Sequence, residues 1–471
     1  MVKKELHSLK WSSIYQVLTS GISYITLIIL ARHYGPKHYG ILIFGFTLLE
    51  FLKIIGDPGI SIYNISIFSR VKDKSDYIVQ SFYAKLILSL FGFLVFSIGI
   101  ILYPTVYEIK VILFVFALSV FPTIFDSRWI FQGDLKMNYS FFSRAVFRII
   151  FLLFVILAYF LKLDYYFIPY LLFFASIIGF STSFPLVYKH YGNLKIRIKK
   201  LKYFKETLIK IIPIGINQIL LPANNILTIL ILGYLLKSND VGQFGAAYKY
   251  SLFLSGLLSI VLNSLLPIIS RFNSNGLVFN KYSRFYWNIL LLFIFSIIAP
   301  LMIYTDFIFG FLYGKEYIFS INLAKILTFS AMLYTYIHFI GYQLISKRKQ
   351  KYYTSVLSLG FIVNVFFLLI LIPRYGIYGA GYSILISAIA SSLLMLYYEN
   401  KFLINRISDK INALVIICFS LIVTSLIYIY YKSVLGFILS IFLTELFNVI
   451  YLILIPRLRY TKQYDKSIEY T

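Results

Sequence analysis

Charge, cysteine and acid are all scarce in this sequence. Only 13% of its 471 residues are Asp, Glu, Lys or Arg, about half of what a soluble domain carries. Over a chain this long, too few polar groups remain to cover a water-facing surface. That excludes a soluble enzyme, a disordered regulator and a secreted disulfide scaffold. The single cysteine, Cys418, cannot close an internal bridge and leaves no thiolate cluster for a metal. The five histidines (His7, His33, His38, His190 and His338) lack metal-ligand spacing, and no phosphate-binding glycine loop or nucleophile elbow is present. No metal or cofactor is expected. Acid is outnumbered by base, 18 Asp and Glu against 44 Lys and Arg, giving a net charge of +26. In a soluble protein that excess would suggest nucleic acid. In a chain that is 60% apolar, a membrane explains it better, and no nucleic-acid partner is expected.

Long apolar runs dominate instead. A helix crossing the hydrocarbon needs about 20 mostly apolar residues. By that ruler fourteen candidate spans run roughly over 12–31, 39–62, 78–103, 108–131, 139–161, 165–188, 209–236, 243–269, 285–309, 321–345, 354–373, 377–398, 411–431 and 434–456. They are too long and too continuously apolar for barrel strands, so an all-α polytopic membrane protein is expected. Lys3, Lys4 and Lys10 precede the first span without a small-residue cleavage site after a short apolar core, which reads as an uncleaved first helix.

Basic residues crowd into the N-terminus, alternate connections and the tail. The other set of connections holds only Arg32, Lys37, Lys110, Lys162, Lys237, Lys315, Arg374 and Lys432. This bias puts both termini in the cytoplasm. The longest connection, residues 189–208, is cytoplasmic and carries Lys195, Arg197, Lys199, Lys200, Lys202 and Lys205. The outward loops are too short for a folded extracellular domain.

An internal repeat organises the chain. The segment Ile29 to Gly40, with Gly35, Pro36 and Gly40, has an echo from Ile231-Leu232-Gly233 to Asp240-Val241-Gly242. One helix after each copy come Ser69-Arg70 and Ser270-Arg271. A shorter third copy is Ile372-Pro373-Arg374-Tyr375-Gly376 with Gly379 and Gly381. Any helical hairpin can end in glycine and a basic residue, but the matched offsets favour duplication. Two six-helix halves of the same orientation imply a pseudo-twofold axis along the membrane normal, an architecture that transporters use around a central site. The expected organisation is a first lobe (1–188, helices 1–6), the basic linker 189–208, a second lobe (209–398, helices 7–12), and residues 399–471 as a terminal helix pair with a basic tail.

Charges inside spans cost roughly 2.5–3.5 kcal/mol each on insertion scales, so they face a partner or a wet cavity. The second span holds Glu50, Lys53 and Asp57 on one face; the third carries Lys85, the fifth Arg144 and Arg148 at i and i+4, the eighth Lys249 and the tenth Lys325, and the fourth ends with Asp126 and Arg128. If Lys53, Lys85, Arg144, Arg148, Lys249 and Lys325 face the lobe interface, they line a cationic cavity for an anionic head group. Paired arginines suit phosphate, because each offers a planar fork of donors. Blander readings stay open: Lys85, Lys249 and Lys325 could snorkel, Arg144 could sit at the cytoplasmic junction, and Glu50, Lys53 and Asp57 could neutralise one another. In the seventh span Pro213, Gly215, Asn217, Gln218, Pro222, Asn224 and Asn225 predict a kink, used in alternating access or simply packing a bent helix. Many of the 42 Tyr and 46 Phe suit interfacial belts.

The pattern Ala31-Arg32-x-x-Gly35-Pro36-x-x-Tyr39-Gly40, then Asp57-x-Gly59-Ile60, then Ser69-Arg70, resembles the first hairpin of the Wzx-type polysaccharide flippases of the multidrug/oligosaccharidyl-lipid/polysaccharide exporter superfamily. Pro373-x-Tyr375-Gly376-x-x-Gly379-Ala380 looks like the same family's turn between helices 11 and 12. The resemblance implies transfer of an undecaprenyl-diphosphate-linked oligosaccharide, of O-antigen or capsule type, across the bacterial inner membrane. It also implies alternating access around a cationic cavity, coupling to H+ or Na+, and a polymerase of the same pathway as partner. Related proteins often carry an acid in helix 7, where this chain has Asn224-Asn225; coupling would then fall to Glu50 or Asp57. Two other readings are a membrane polymerase or ligase of the same pathway and a small-molecule exporter of the same superfamily. The first outer loop, Arg32 to His38, has no acid for the former, and a cationic cavity does not suit the organic cations of the latter.

Overall fold

A computed structural model of the chain describes residues 2–71, 73–103, 105–134, 136–192, 222–271, 298–402, 423–429, 431 and 433–454. Among the described residues every regular element is a helix. Seven stretches of them are long and apolar enough to cross a membrane: Val17–Gly56, Lys74–Leu102, Tyr107–Gly133, Phe142–Phe160, Tyr165–Tyr191, Lys315–Ser346 and Gln350–Phe402.

The first element, α1 (Val2–Gly56), is two helices merged across a kink at Gly35, whose φ of 67° precedes Pro36. Proline removes a backbone donor there, and glycine takes a conformation that a side chain would strain. A left-handed glycine recurs at Gly376, with φ 57° and Pro373 three residues before it, in the long helix Gln350–Phe402. Both glycines lie in copies of the repeated turn.

Two expected spans are corrected. The second does not continue as helix through 39–62. Proline at 58 disfavours helix at Asp57, Gly59 has φ 109°, and the chain resumes as α2 (Ile60–Ile67). Asp57 therefore leaves the helical face it was expected to share with Glu50 and Lys53. The fourth is broken as well: α3 (Lys74–Leu102) is followed by α4 (Tyr107–Leu118), a short turn of helix containing Pro122, and α5 (Arg128–Gly133), with Asp126 in the gap. After these come α6 (Phe142–Phe160), α7 (Ile168–Ser181) and α8 (Ser183–Tyr191), then α9 (Pro222–Leu235), α10 (Ser238–Arg271), α11 (Ile318–Ser346), α12 (Gln350–Phe402) and α13 (Val434–Leu454).

The helix α3 shows how the sequence chooses its faces. Leu86, Leu90, Leu94, Ile98 and Ile101 form an exposed apolar stripe at helical spacing, whereas Ser81, Ala84, Lys85, Ser89 and Gly92 are buried. In water that arrangement would be inverted; in lipid, small residues pack helix on helix and leucine meets hydrocarbon. Hydroxyls are satisfied locally, as where Thr47 donates to the Ile43 carbonyl at 2.7 Å and Ser81 to the Tyr77 carbonyl at 2.9 Å. Asp73 caps the start of α3 by accepting from the Asp76 N–H. The chain is a polytopic all-α membrane protein.

It divides into two compact units, residues 1–253 with 353–391, and residues 254–352 with 392–471. In the first, the repeated glycines Gly40 and Gly242 meet: a methyl group on Gly40 would collide with the Ser238 carbonyl, and one on Gly242 with the Pro36 carbonyl. The start of α10 thus packs backbone-on-backbone against α1. A separate cluster of Phe68, Ile78, Trp129, Ile130, Phe131 and Val187 anchors α2, α3, α5 and α8. In the second unit Tyr304 is fully buried, packs against Tyr428 and Phe437, and donates to the Tyr431 carbonyl at 3.0 Å.

Candidate functional site

The breaks at Asp57 and Asp126 place two carboxylates among helices that carry cations. Asp57 accepts from the Ser61 N–H at 2.9 Å and from the Ser61 hydroxyl. Its partner is Lys85, 2.9 Å away, whose ammonium also donates to Ser61 at 2.8 Å. Lys85 is buried, so it does not snorkel; the pair and hydroxyl hold it inside. Asp126 accepts both the Nε and Nη2 of Arg144, at 2.8 and 2.7 Å, and the Arg128 N–H at 3.1 Å. Lys53 donates to Glu50 at 2.9 Å, one turn apart in α1.

These pairs are neighbours in one electrostatic group. Lys53, Lys249 and Arg144 are near enough to act on the charge of Glu50. Arg148 feels both Arg144 and Glu50, and Arg128 feels Arg144, Arg148, Asp126 and Asp57. Among the described residues, six cations (Lys53, Lys85, Arg128, Arg144, Arg148 and Lys249) thus face three carboxylates (Glu50, Asp57 and Asp126), a surplus of three. Each carboxylate is already engaged, by Lys53, Lys85 and Arg144 respectively. Among the described residues no carboxylate pairs with Arg128, Arg148 or Lys249; Lys249 lies 5.8 Å over the Tyr248 ring.

Of the residues expected at the site, the structure brings together Glu50, Lys53, Asp57, Lys85, Arg144, Arg148 and Lys249. Lys325 belongs to the second unit, where it pairs with Asp306 at 2.8 Å. Pro213 and Asn217 lie outside the described residues. Pro222 opens α9. Next to it Asn225 is half-buried, whereas Asn224 is buried in an amide group: Asn364 donates to the Asn224 carbonyl at 3.4 Å and to the Thr228 hydroxyl at 3.3 Å, and Thr228 donates to the same carbonyl at 2.8 Å. Asp126 and Arg128 were legible only as the end of a span. Their signal was a charged pair around Ser127 inside an otherwise apolar run, Ile124-Phe125 before and Trp129-Ile130 after.

A family model described as polysaccharide biosynthesis protein matches residues 6–273, more than half the chain and every member of the cluster. The chain belongs to this family. No curated protein matches the sequence. Among solved structures, this family member resembles the lipid II flippase MurJ in an inward closed conformation, at 15% identity and a TM-score of 0.75, over 97% of this chain and 99% of that one. It also resembles an inward-facing multidrug resistance MATE family transporter of the MOP superfamily, at 13% identity and a TM-score of 0.64, over 83% and 97%. The MATE transporter VcmN of Vibrio cholerae, in a mutant form, matches at 13% identity and a TM-score of 0.53, over 84% and 97%. At these identities the likeness is one of fold. The fold is one shared with the MurJ flippase and these MATE transporters.

Proposed function

We propose that the protein is a flippase that moves an undecaprenyl-diphosphate-linked oligosaccharide from the inner to the outer leaflet of the bacterial cytoplasmic membrane, with both termini in the cytoplasm. The observation that carries this reading is the surplus of three cations in the first unit, where Arg128, Arg148 and Lys249 have no carboxylate among the described residues. Unpaired cations inside a membrane protein are expensive and persist where an anion visits. A diphosphate diester brings two negative charges and an array of acceptors that suits arginine forks. Two six-helix lobes alternating around this cationic cavity would carry the head group while the polyprenyl tail stays in lipid. The bend in helix 7 around Pro213, Asn217, Pro222, Asn224 and Asn225 would take part in that movement. Coupling to H+ or Na+ would use Glu50 or Asp57. The glycan class (O-antigen, capsule or another polymer) is set by the pathway, and its polymerase is the expected partner.

Deleting the gene and analysing lipid-linked intermediates by mass spectrometry tests this. The proposal expects surface polymer to be lost while single repeat units accumulate on the carrier, facing the cytoplasm. Single units that still reach the outer face but stay unpolymerised would favour a polymerase or ligase. Undisturbed display with raised sensitivity to organic cations would favour a drug exporter.

A further inference from the structure

Glu50 differs from the other two carboxylates of the cluster. Its side chain is 58% exposed, against 29% for Asp57 and 13% for Asp126. Asp57 and Asp126 are also tied to the backbone, through the Ser61 and Arg128 N–H groups, whereas among the described residues the Glu50 carboxylate holds only its one-turn neighbour Lys53. Exposure here does not mean lipid. The charges that reach Glu50 come from α1 (Lys53), α6 (Arg144 and Arg148) and α10 (Lys249), so its exposed carboxylate has cations on three helices around it. A group that is open, loosely held and ringed by four cations occupies the place where a visiting anion gains most.

We infer that Glu50 is a resident stand-in for the substrate's diphosphate: while the site is empty it holds Lys53 and offsets the charge of Arg148 and Lys249, it is displaced when the head group enters, and it helps expel the head group by competing for these cations again. The inference rests on the diphosphate reading above and deepens it by assigning Glu50 a role in release. The chemistry is a competition. A carboxylate and a phosphate both need Lys53, Arg148 and Lys249, and two anions cannot share them without repulsion in a poorly solvated site. Without such a competitor a triply cationic site would hold a diphosphate too firmly to let it go. Glu50 is thus a positioning residue for the cations, trading affinity for turnover.

The test uses the purified full-length protein in detergent, titrated with undecaprenyl diphosphate and separately with inorganic pyrophosphate, alongside export measured in cells. The expected result is that Glu50→Gln binds both ligands about tenfold tighter or more, yet exports more slowly than the wild type at matched protein level. A purely structural role would weaken binding and export together. Glu50→Gln binding no tighter, with its thermal midpoint retained, would overturn the inference. If Glu50→Gln does not fold, Lys53→Ala and Lys53→Ala/Glu50→Ala decide: the double variant should regain the affinity that the single one loses, and equal loss in both would overturn it. Wild-type protein that binds neither ligand would instead remove the diphosphate reading itself. Tight binding of pyrophosphate alone would mark a site for free phosphates and not for a lipid head group, and would remove that reading too.

Discussion

Asp126 and Asp134 lie on the same short stretch of chain in the first unit, and both are surrounded by cations. Asp134 sits between α5 and α6 and meets Lys74 at 2.5 Å, Lys136 at 3.6 Å and the Tyr191 hydroxyl at 2.8 Å. Around it the cations find more than charge, since Lys74 lies over the Phe68 ring and Lys136 over the Tyr191 ring. Each of these cations is thereby occupied, and the site joins the start of α3, the end of α5 and the end of α8. Asp126 also has its partner, Arg144, but beyond it stand Arg128 and Arg148, which feel one another's charge and have no carboxylate of their own among the described residues. A cluster whose charges close on themselves braces helices. On the function proposed above, a cluster that leaves cations over inside a membrane receives an anion from outside.

The sharpest way to break this contrast is to remove one leftover cation. Arg148→Ala should cut glycan export by about two orders of magnitude while membrane levels and thermal midpoint stay near wild type; equal export at matched protein level would show that Arg148 belongs to the bracing kind. Next in size, Asp126→Ala strands Arg144 among three other cations. It should destabilise the protein by about 3 kcal/mol, read as a lowered midpoint in detergent, and Asp126→Ala/Arg144→Ala should recover part of it. No recovery would mean that Asp126 acts on the backbone at Arg128 and not on the charge.

Asp134 should give a smaller and purely structural effect. Burial raises its pKa, but hydrogen bonds from Lys74 and Tyr191 and the charges of Lys74 and Lys136 outweigh this, and the carboxyl titrates below the usual aspartate range. Its contribution is therefore complete above about pH 4, the ordinary aspartate value, and is lost as the pH falls through the lowered folded-state value. Asp134→Asn should cost about 1.5–2 kcal/mol near neutral pH and flatten the acid limb of a stability curve. It should leave undecaprenyl diphosphate binding unchanged. A loss of binding would erase the distinction between the two clusters.

Much of the fold was legible because a membrane enforces simple rules. Apolar length marks the spans, and the duplicated Gly35 and Gly376 turns mark the kinks. The breaks were hidden for a physical reason: a hydropathy window sees Ile54-Ile55-Gly56 and Ile60 as one run, although Pro58 and Gly59 end the helix between them. The charged residues were readable one at a time but their pairing was not. Helical spacing puts Asp57 on the face of Lys53, and the break turns it to Lys85 instead. A charge at the end of a run looks like a boundary, so sequence alone does not place Arg128 in the cluster. Contacts across helices, such as Gly40 against Gly242, follow from the repeat only once the turns are placed in space.

On the proposed function, the first unit's surplus cations receive a diphosphate. Binding of undecaprenyl diphosphate to the purified protein, measured beside an organic cation of similar apolar size and at rising salt, tests it most directly. The account predicts that the diphosphate binds, that its affinity falls steeply with salt, and that Arg148→Ala removes it while the cation does not compete. Binding of the organic cation with no binding of the diphosphate would contradict it.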